Sequence, residues 1–148
     1  MPVAIPPHEP EFRRFLRALA EEIDGRSAPG ERDDILRGAG ARMAKLMPVP
    51  PVESLAALEL EMNDVLAAAG WGRARLELNE AERTVLITHT GLPRIGSLGS
   101  PAGTWLSALL EGLYSAWMAQ QPGSTPTLAA RRVTPGDAAT VMLRFGRF

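Results

Sequence analysis

A helix with no polar face cannot lie on the surface of a protein, and residues 101–121 read as such a helix. Trp105, Leu106, Leu109, Leu110, Leu113, Tyr114, Trp117 and Met118 recur at helical spacing and form one broad apolar stripe. A surface helix would carry charges opposite that stripe. Here the opposite positions are Ser107, Ala108, Gly112, Ser115, Ala116 and Ala119, and Glu111 is the one charge. The helix must therefore be covered on both sides. Gly112 in mid-helix costs about 1 kcal/mol against alanine, so it points to a close-packed neighbour. The helix is the spine of a domain or of an oligomer, and Ala108, Gly112 and Ala116 are the residues expected at an oligomer interface. Ser100 suits the N-cap and Pro101 the first helical position, while Pro122 and Gly123 form the stop.

The remaining pattern predicts an α+β layout. Pro2, Pro6, Pro7 and Pro10 make residues 1–10 an extended, proline-rich arm. A first helix over 11–24 puts Phe12, Phe15, Leu16, Leu19 and Ile23 on one face. A second over 31–47 steps through Leu36, Ala39, Met43 and Leu46, and a third over 52–69 through Leu55, Leu58, Met62, Val65 and Ala69. The short linker Pro48-Val49-Pro50-Pro51 predicts that these two form an antiparallel hairpin. After Gly70-Trp71-Gly72 the period changes to two. Ala74, Leu76 and Leu78 share one side of a strand, and Val85, Ile87 and His89 share one side of the next. A second strand pair follows the spine helix, at 128–133 and 140–148, around a turn at Pro135-Gly136-Asp137. The expected fold is thus three N-terminal helices, an antiparallel sheet of about four strands and one long central apolar helix. Residues 11–148 are expected to form a single domain.

Length and charge narrow the function classes. The chain has 148 residues, 16 basic against 17 acidic, and net charge −1. That balance does not favour nucleic acid as a partner. There is no run of eighteen apolar residues, so no membrane-inserted helix is expected. The N-terminus lacks the basic region of a secretory signal, which predicts a cytoplasmic protein, with the periplasm as the alternative. The absence of cysteine excludes disulfides and thiolate catalysis.

The residue patterns of catalysis are missing. His8 lies in the arm and His89 in a strand, and neither has a carboxylate at metal-ligand spacing. Glu53, Glu59, Glu61 and Asp64 read as a solvated helix face rather than a glycosidase pair. Glu111 reads as half of an ion pair, with Arg94 and Arg131 as candidate partners. The loop Gly96-Ser97-Leu98-Gly99-Ser100-Pro101 precedes a helix but lacks the spacing and the lysine of a phosphate loop. Trp105, Tyr114 and Trp117 read as core, while Trp71 sits at a helix–strand junction where it could face a ligand. No catalytic residue, metal or cofactor is expected, and the chain reads as a non-enzyme.

The segment LPRIGSLGSPAGTWLSALLEGLYSAWMAQQPG resembles the corresponding region of the bacterial cellulose biosynthesis protein D family, the D subunits of cellulose synthase. FLRALAEEID at 15–24 resembles the family's first helix, and WGRARLEL at 71–78 the start of its sheet. The resemblance implies a non-catalytic accessory subunit of bacterial cellulose biosynthesis. It implies a ring-like homo-octamer that organises extruded β-1,4-glucan chains into crystalline fibrils, beside cellulose synthase components at the inner membrane. It also implies glucan passages at subunit interfaces with N-terminal segments contributing. On that implication Pro6, His8, Glu9, Phe12 and Arg13 are the polymer-binding candidates. The alternative is an oligomeric scaffold or adaptor that recruits cellulose synthase or another protein partner without contacting glucan.

Overall fold

The computed structural model describes residues 10–92, 104–125, 127–133 and 140–147. In chain order it contains α1 (Pro10–Arg26), α2 (Pro29–Leu46), α3 (Leu55–Ala69), β1 (Arg73–Asn79), β2 (Thr84–Thr90), α4 (Thr104–Ala119), β3 (Leu128–Arg132) and β4 (Thr140–Arg147). The fold is α+β, with one four-stranded antiparallel sheet in the order β1-β2-β4-β3. Among the described residues no helix is long and apolar enough to cross a membrane. Ser100 and Pro101, the loop before them, and the turn at residues 135–137 lie outside the described residues.

Local chemistry sets the element ends. Pro29 opens α2, where its missing N–H has no helical partner to lose. The third helix starts three residues later than the periodicity suggests. Ser54 caps it, its Oγ accepting the Ala57 N–H at 3.0 Å. Gly70 ends it in the left-handed region, at φ 71°. In β1, Ala74 and Leu76 turn inward. Leu78, expected on the same face, is exposed at the end of the strand beside the turn.

The core lies between the sheet and the helices. Ala74, Leu76, Val85, Ile87, Leu143 and Phe145 from the strands meet Met62 and Leu66 of α3 and Leu110, Leu113, Tyr114 and Trp117 of α4. The spine helix is thus covered on its aromatic side by the sheet. Its small side meets α2 at Gly112, α1 at Ala108 and β3 at Ser107 and Ser115. A β-carbon on Gly40 would stand 2.0 Å from the Leu109 carbonyl oxygen, and one on Gly112 would stand 1.9 Å from that of Arg37. Backbone meets backbone there, and only glycine permits it.

The expected hairpin of the second and third helices is not formed. Instead α2 runs along α4, while α3 packs on β1. The linker between them is held open by the end of the spine helix. Gln120 donates to the Ala44 carbonyl at 3.0 Å and accepts from Val49 N–H at 3.1 Å. Gln121 accepts from Val52 N–H at 3.0 Å and donates to the Pro50 carbonyl at 3.1 Å. The Trp117 indole donates to the Met47 carbonyl at 3.0 Å. Pro50 and Pro51 bring no N–H of their own, and the two glutamines serve polar groups that a proline linker cannot pair locally. Helix α1 lies over the other end of α2, its Ala20 and Ile23 against Leu36, Trp105 and Ala108.

Candidate functional site

The polymer-binding candidates do not gather into a described site. Pro6, His8 and Glu9 lie outside the described residues, and Phe12 and Arg13 belong to the first turns of α1. Of the residues expected at an oligomer interface, Ala108 and Gly112 are buried within the protomer, under α1 and α2 respectively. Ala116 alone of the three stays half-buried, against the main core.

The polar residues that the fold does bring together form two buried networks. The first surrounds Glu111, which is 2% exposed. Its carboxylate accepts from Arg37 Nε at 3.0 Å, from the Arg132 backbone N–H at 2.9 Å and from Arg132 Nη2 at 3.3 Å. Arg132 also donates to Asp33 Oδ2 at 2.9 Å and to Ser107 Oγ at 2.8 Å. The predicted ion pair of Glu111 is therefore real, but its partners are Arg37 and Arg132. Arg94 lies outside the described residues. Arg131 alternates to the opposite face of β3, where it bonds the Ala130 carbonyl. Burial pulls the Arg37 guanidinium down, and Glu111, Asp33 and Asp34 more than offset this, holding it above its ordinary value. A charge buried at three junctions locks α2, α4 and β3 in one register. Asp24 extends the polar seam. It accepts from the Trp105 indole at 3.0 Å and from Arg32 at 3.4 Å.

The second network is centred on His89, which is fully buried. The Trp71 carbonyl can only accept, so His89 Nε2 carries the proton and donates across 2.7 Å. Nδ1 then accepts from the Tyr114 hydroxyl at 2.5 Å. Burial lowers the His89 pKa, against the bond to Trp71, which raises it. Burial also raises Tyr114 above the usual phenol range. Tyr114 meets the Trp117 ring edge-on at 5.6 Å, so Tyr114 and Trp117 serve the core. Trp71 is half-buried, packed against the core, and its backbone carbonyl holds His89. A neutral, doubly bonded histidine beside a protonated phenol ties β2 to α4.

A third arrangement was not legible from spacing. Both edge strands have outward N–H groups taken by helix side chains. On β1, Asn63 accepts from Ala74 N–H at 2.7 Å and donates to its carbonyl at 2.9 Å, and Glu59 accepts from Leu76 N–H at 2.8 Å. On β3, Ser115 Oγ accepts from Ala130 N–H at 2.8 Å, and Glu111 takes Arg132 N–H. Glu59, expected on a solvated helix face, is therefore an edge cap. The one sequence signal for these roles is a polar residue on the sheet-facing side of an apolar helix. Among the described residues no three His, Asp or Glu side chains are grouped to hold a metal ion.

The family model for the D subunit of cellulose synthase matches residues 2–146. A relative from Komagataeibacter sucrofermentans, named cellulose synthase operon protein D, is 42% identical over 141 residues, covering 91% of this chain and 90% of its own. Two proteins of the same name from Komagataeibacter xylinus are 42% and 41% identical over 116 residues, covering 78% of this chain and 74% of theirs. The matched span takes in all four helices and all but the last residue of the sheet, so the chain belongs to the family of cellulose synthase D subunits.

Proposed function

We propose that this protein is a non-catalytic accessory subunit of bacterial cellulose biosynthesis. In this reading it assembles as a closed ring of eight copies and guides extruded β-1,4-glucan chains toward crystalline fibrils. Membership of the D-subunit family is the observation that carries the accessory role. Self-association draws support from the helical layer. Phe15 and Leu19, one turn apart on α1, are 59% and 39% exposed, and Ile35 on α2 is 53% exposed. Exposed apolar side chains on the two helices suit a protein partner. The interface then involves the outer side of α1 and α2, with Ala116 as the remaining accessible member of the small-residue line.

Glucan contact is assigned to residues 2–13, with Pro6, His8, Glu9, Phe12 and Arg13 as its contacts, at the boundary between copies. Weak, distributed hydrogen bonds suit a polymer that must keep moving, because each net bond contributes only about 1 kcal/mol. In the same reading the protein works in the cytoplasm, beside the synthase complex.

Light scattering after size-exclusion chromatography of the full-length protein tests the ring. A mass near eight times 15.9 kDa supports it, and a stable monomer overturns it. Deletion of residues 2–10 tests the passage. Unchanged glucan binding and unchanged fibril order in cells would remove the arm from the mechanism.

A further inference from the structure

The sheet has two faces, and the helices use one. Ala74, Leu76, Val85, Ile87, Leu143 and Phe145 point into the core with α3 and α4. The alternate residues point the other way. Among the described residues no helix packs over that outer face. The register lays two cross-strand rows on it. One runs Arg75, Thr88, Met142 and Val133, and the other Glu77, Leu86, Arg144 and Arg131. Leu86 and Met142 are half-buried, and Val133 is 49% exposed. Arg73 stands next to the first row on β1.

The charge on this face is one-sided. Among the described residues, Arg73, Arg75, Arg131 and Arg144 share it with a single strand acid, Glu77, which pairs with Arg75 at 3.0 Å. Glu82 in the adjoining turn reaches Arg144 at 3.8 Å. The whole chain is close to neutral, at net −1, so this excess is a local segregation of charge. Arginines flank an apolar centre formed by Leu86 and Met142.

We propose that the outer face of the sheet docks an acidic polypeptide segment with interspersed apolar side chains. The apolar residues seat on Leu86 and Met142, and the carboxylates meet the flanking arginines. The chemistry disfavours the other occupants. A second copy in face-to-face pairing would set arginine against arginine. Glucan is neutral and leaves the arginines unmatched, and no aromatic ring stands in either row to stack on a sugar. Docking is across the face and not by strand addition, because Asn63, Glu59, Ser115 and Glu111 occupy the outward N–H groups of Ala74, Leu76, Ala130 and Arg132. Strands about 4.8 Å apart make the four-strand face about 14 Å wide, which an extended segment of about five residues crosses. This surface uses none of the residues of the proposed ring contact or glucan passage, and holds whether or not they do.

The probe is a fluorescein-labelled 16-residue peptide repeating Glu-Leu-Asp-Ser, titrated with the full-length protein and read by fluorescence anisotropy. The expected result is saturable binding that weakens at least fivefold between 50 and 300 mM salt. The double variant Arg73→Glu/Arg131→Glu is expected to weaken it tenfold or more. The variant Arg14→Glu/Arg17→Glu, on exposed α1, makes the same change in net charge and is expected to leave binding within twofold. A photo-leucine version of the peptide, used on the unaltered protein, is expected to cross-link to residues 84–90 and 140–147, which keeps the test valid if a variant misfolds. The proposal is overturned by absent binding, by equal loss in the α1 variant, by equal binding of the Gln/Asn version of the peptide, or by cross-links confined to the helices. Displacement of the peptide by cellohexaose would assign the face to glucan instead. A fall in assembly mass of Arg73→Glu/Arg131→Glu, with no peptide binding by the unaltered protein, would assign it to a second copy.

Discussion

A β-carbon on Gly112 would stand 1.9 Å from the carbonyl oxygen of Arg37, and the side chain of that same arginine bonds Glu111, the neighbour of Gly112. One residue of α2 is thus engaged by its backbone and by its charge at a single turn of α4. This double contact carries the covering of the spine helix within one chain.

Gly112→Ala and Gly40→Ala are expected to destabilise the protein, since neither side of the contact can yield: both are backbone. Overpacking of this kind costs about 1–3 kcal/mol or more. At about 2–4 °C per kcal/mol for a chain of this size, calorimetry would show a fall of roughly 2–12 °C. Gly38 lies on the same helix with nothing within 4 Å of a β-carbon, so Gly38→Ala is expected to stabilise by about 0.5–1 kcal/mol. A Gly112→Ala protein as stable as the parent would mean that α2 and α4 do not touch.

Glu111→Gln leaves Arg37 and Arg132 facing each other without their shared counter-ion. Breaking a buried pair costs about 3–5 kcal/mol, and the partial exposure of both arginines reduces this to about 2–3 kcal/mol. Glu53→Gln, at an exposed position before α3, is expected within about 0.5 kcal/mol of the parent. Urea unfolding midpoints separate the two. Equal midpoints would show that the network contributes nothing net.

His89 is held neutral by burial, so its folded pKa is below the ordinary 6.5. The unfolded chain binds this proton first as pH falls. Stability is therefore full above about pH 6.5 and declines as pH drops from there toward the folded pKa. Urea midpoints at pH 7.5 and 5.5 are expected to fall in the parent and to change less in His89→Gln. An equal decline in both would show that His89 does not carry the effect.

Tyr114 is the one tyrosine, and burial raises its pKa. Absorbance at 295 nm is expected to show no phenolate until alkaline unfolding, and then a single cooperative step. Tyr114→Phe strands His89 Nδ1 without a donor and is expected to cost about 1–3 kcal/mol, read from the thermal midpoint. A phenolate titrating smoothly near pH 10 in the folded protein would contradict the buried hydrogen bond.

Much of the local structure was legible in the chain. The apolar residues of α4 forced cover on two sides, and the alternation of Val85, Ile87 and His89 placed a strand with one inward face. The charge of Glu111 required a basic partner. Periodicity is a property of neighbouring residues, so it can be read without knowing what lies across the interface.

The identity of each partner was not legible in this way. Proline linkers suggested that α2 turns back on α3, yet α2 covers α4 because Gly40 and Gly112 let two backbones meet from distant parts of the chain, a relation that no local period encodes. Arg37 rather than Arg131 pairs with Glu111 because α2 arrives there. Asn63 and Glu59 became edge caps because α3 lies along β1. Which faces had to be buried was set by the spacing of apolar side chains along the chain. What buries them was settled only on folding, because long-range contact depends on backbone shape and charge complementarity between segments that local spacing does not relate.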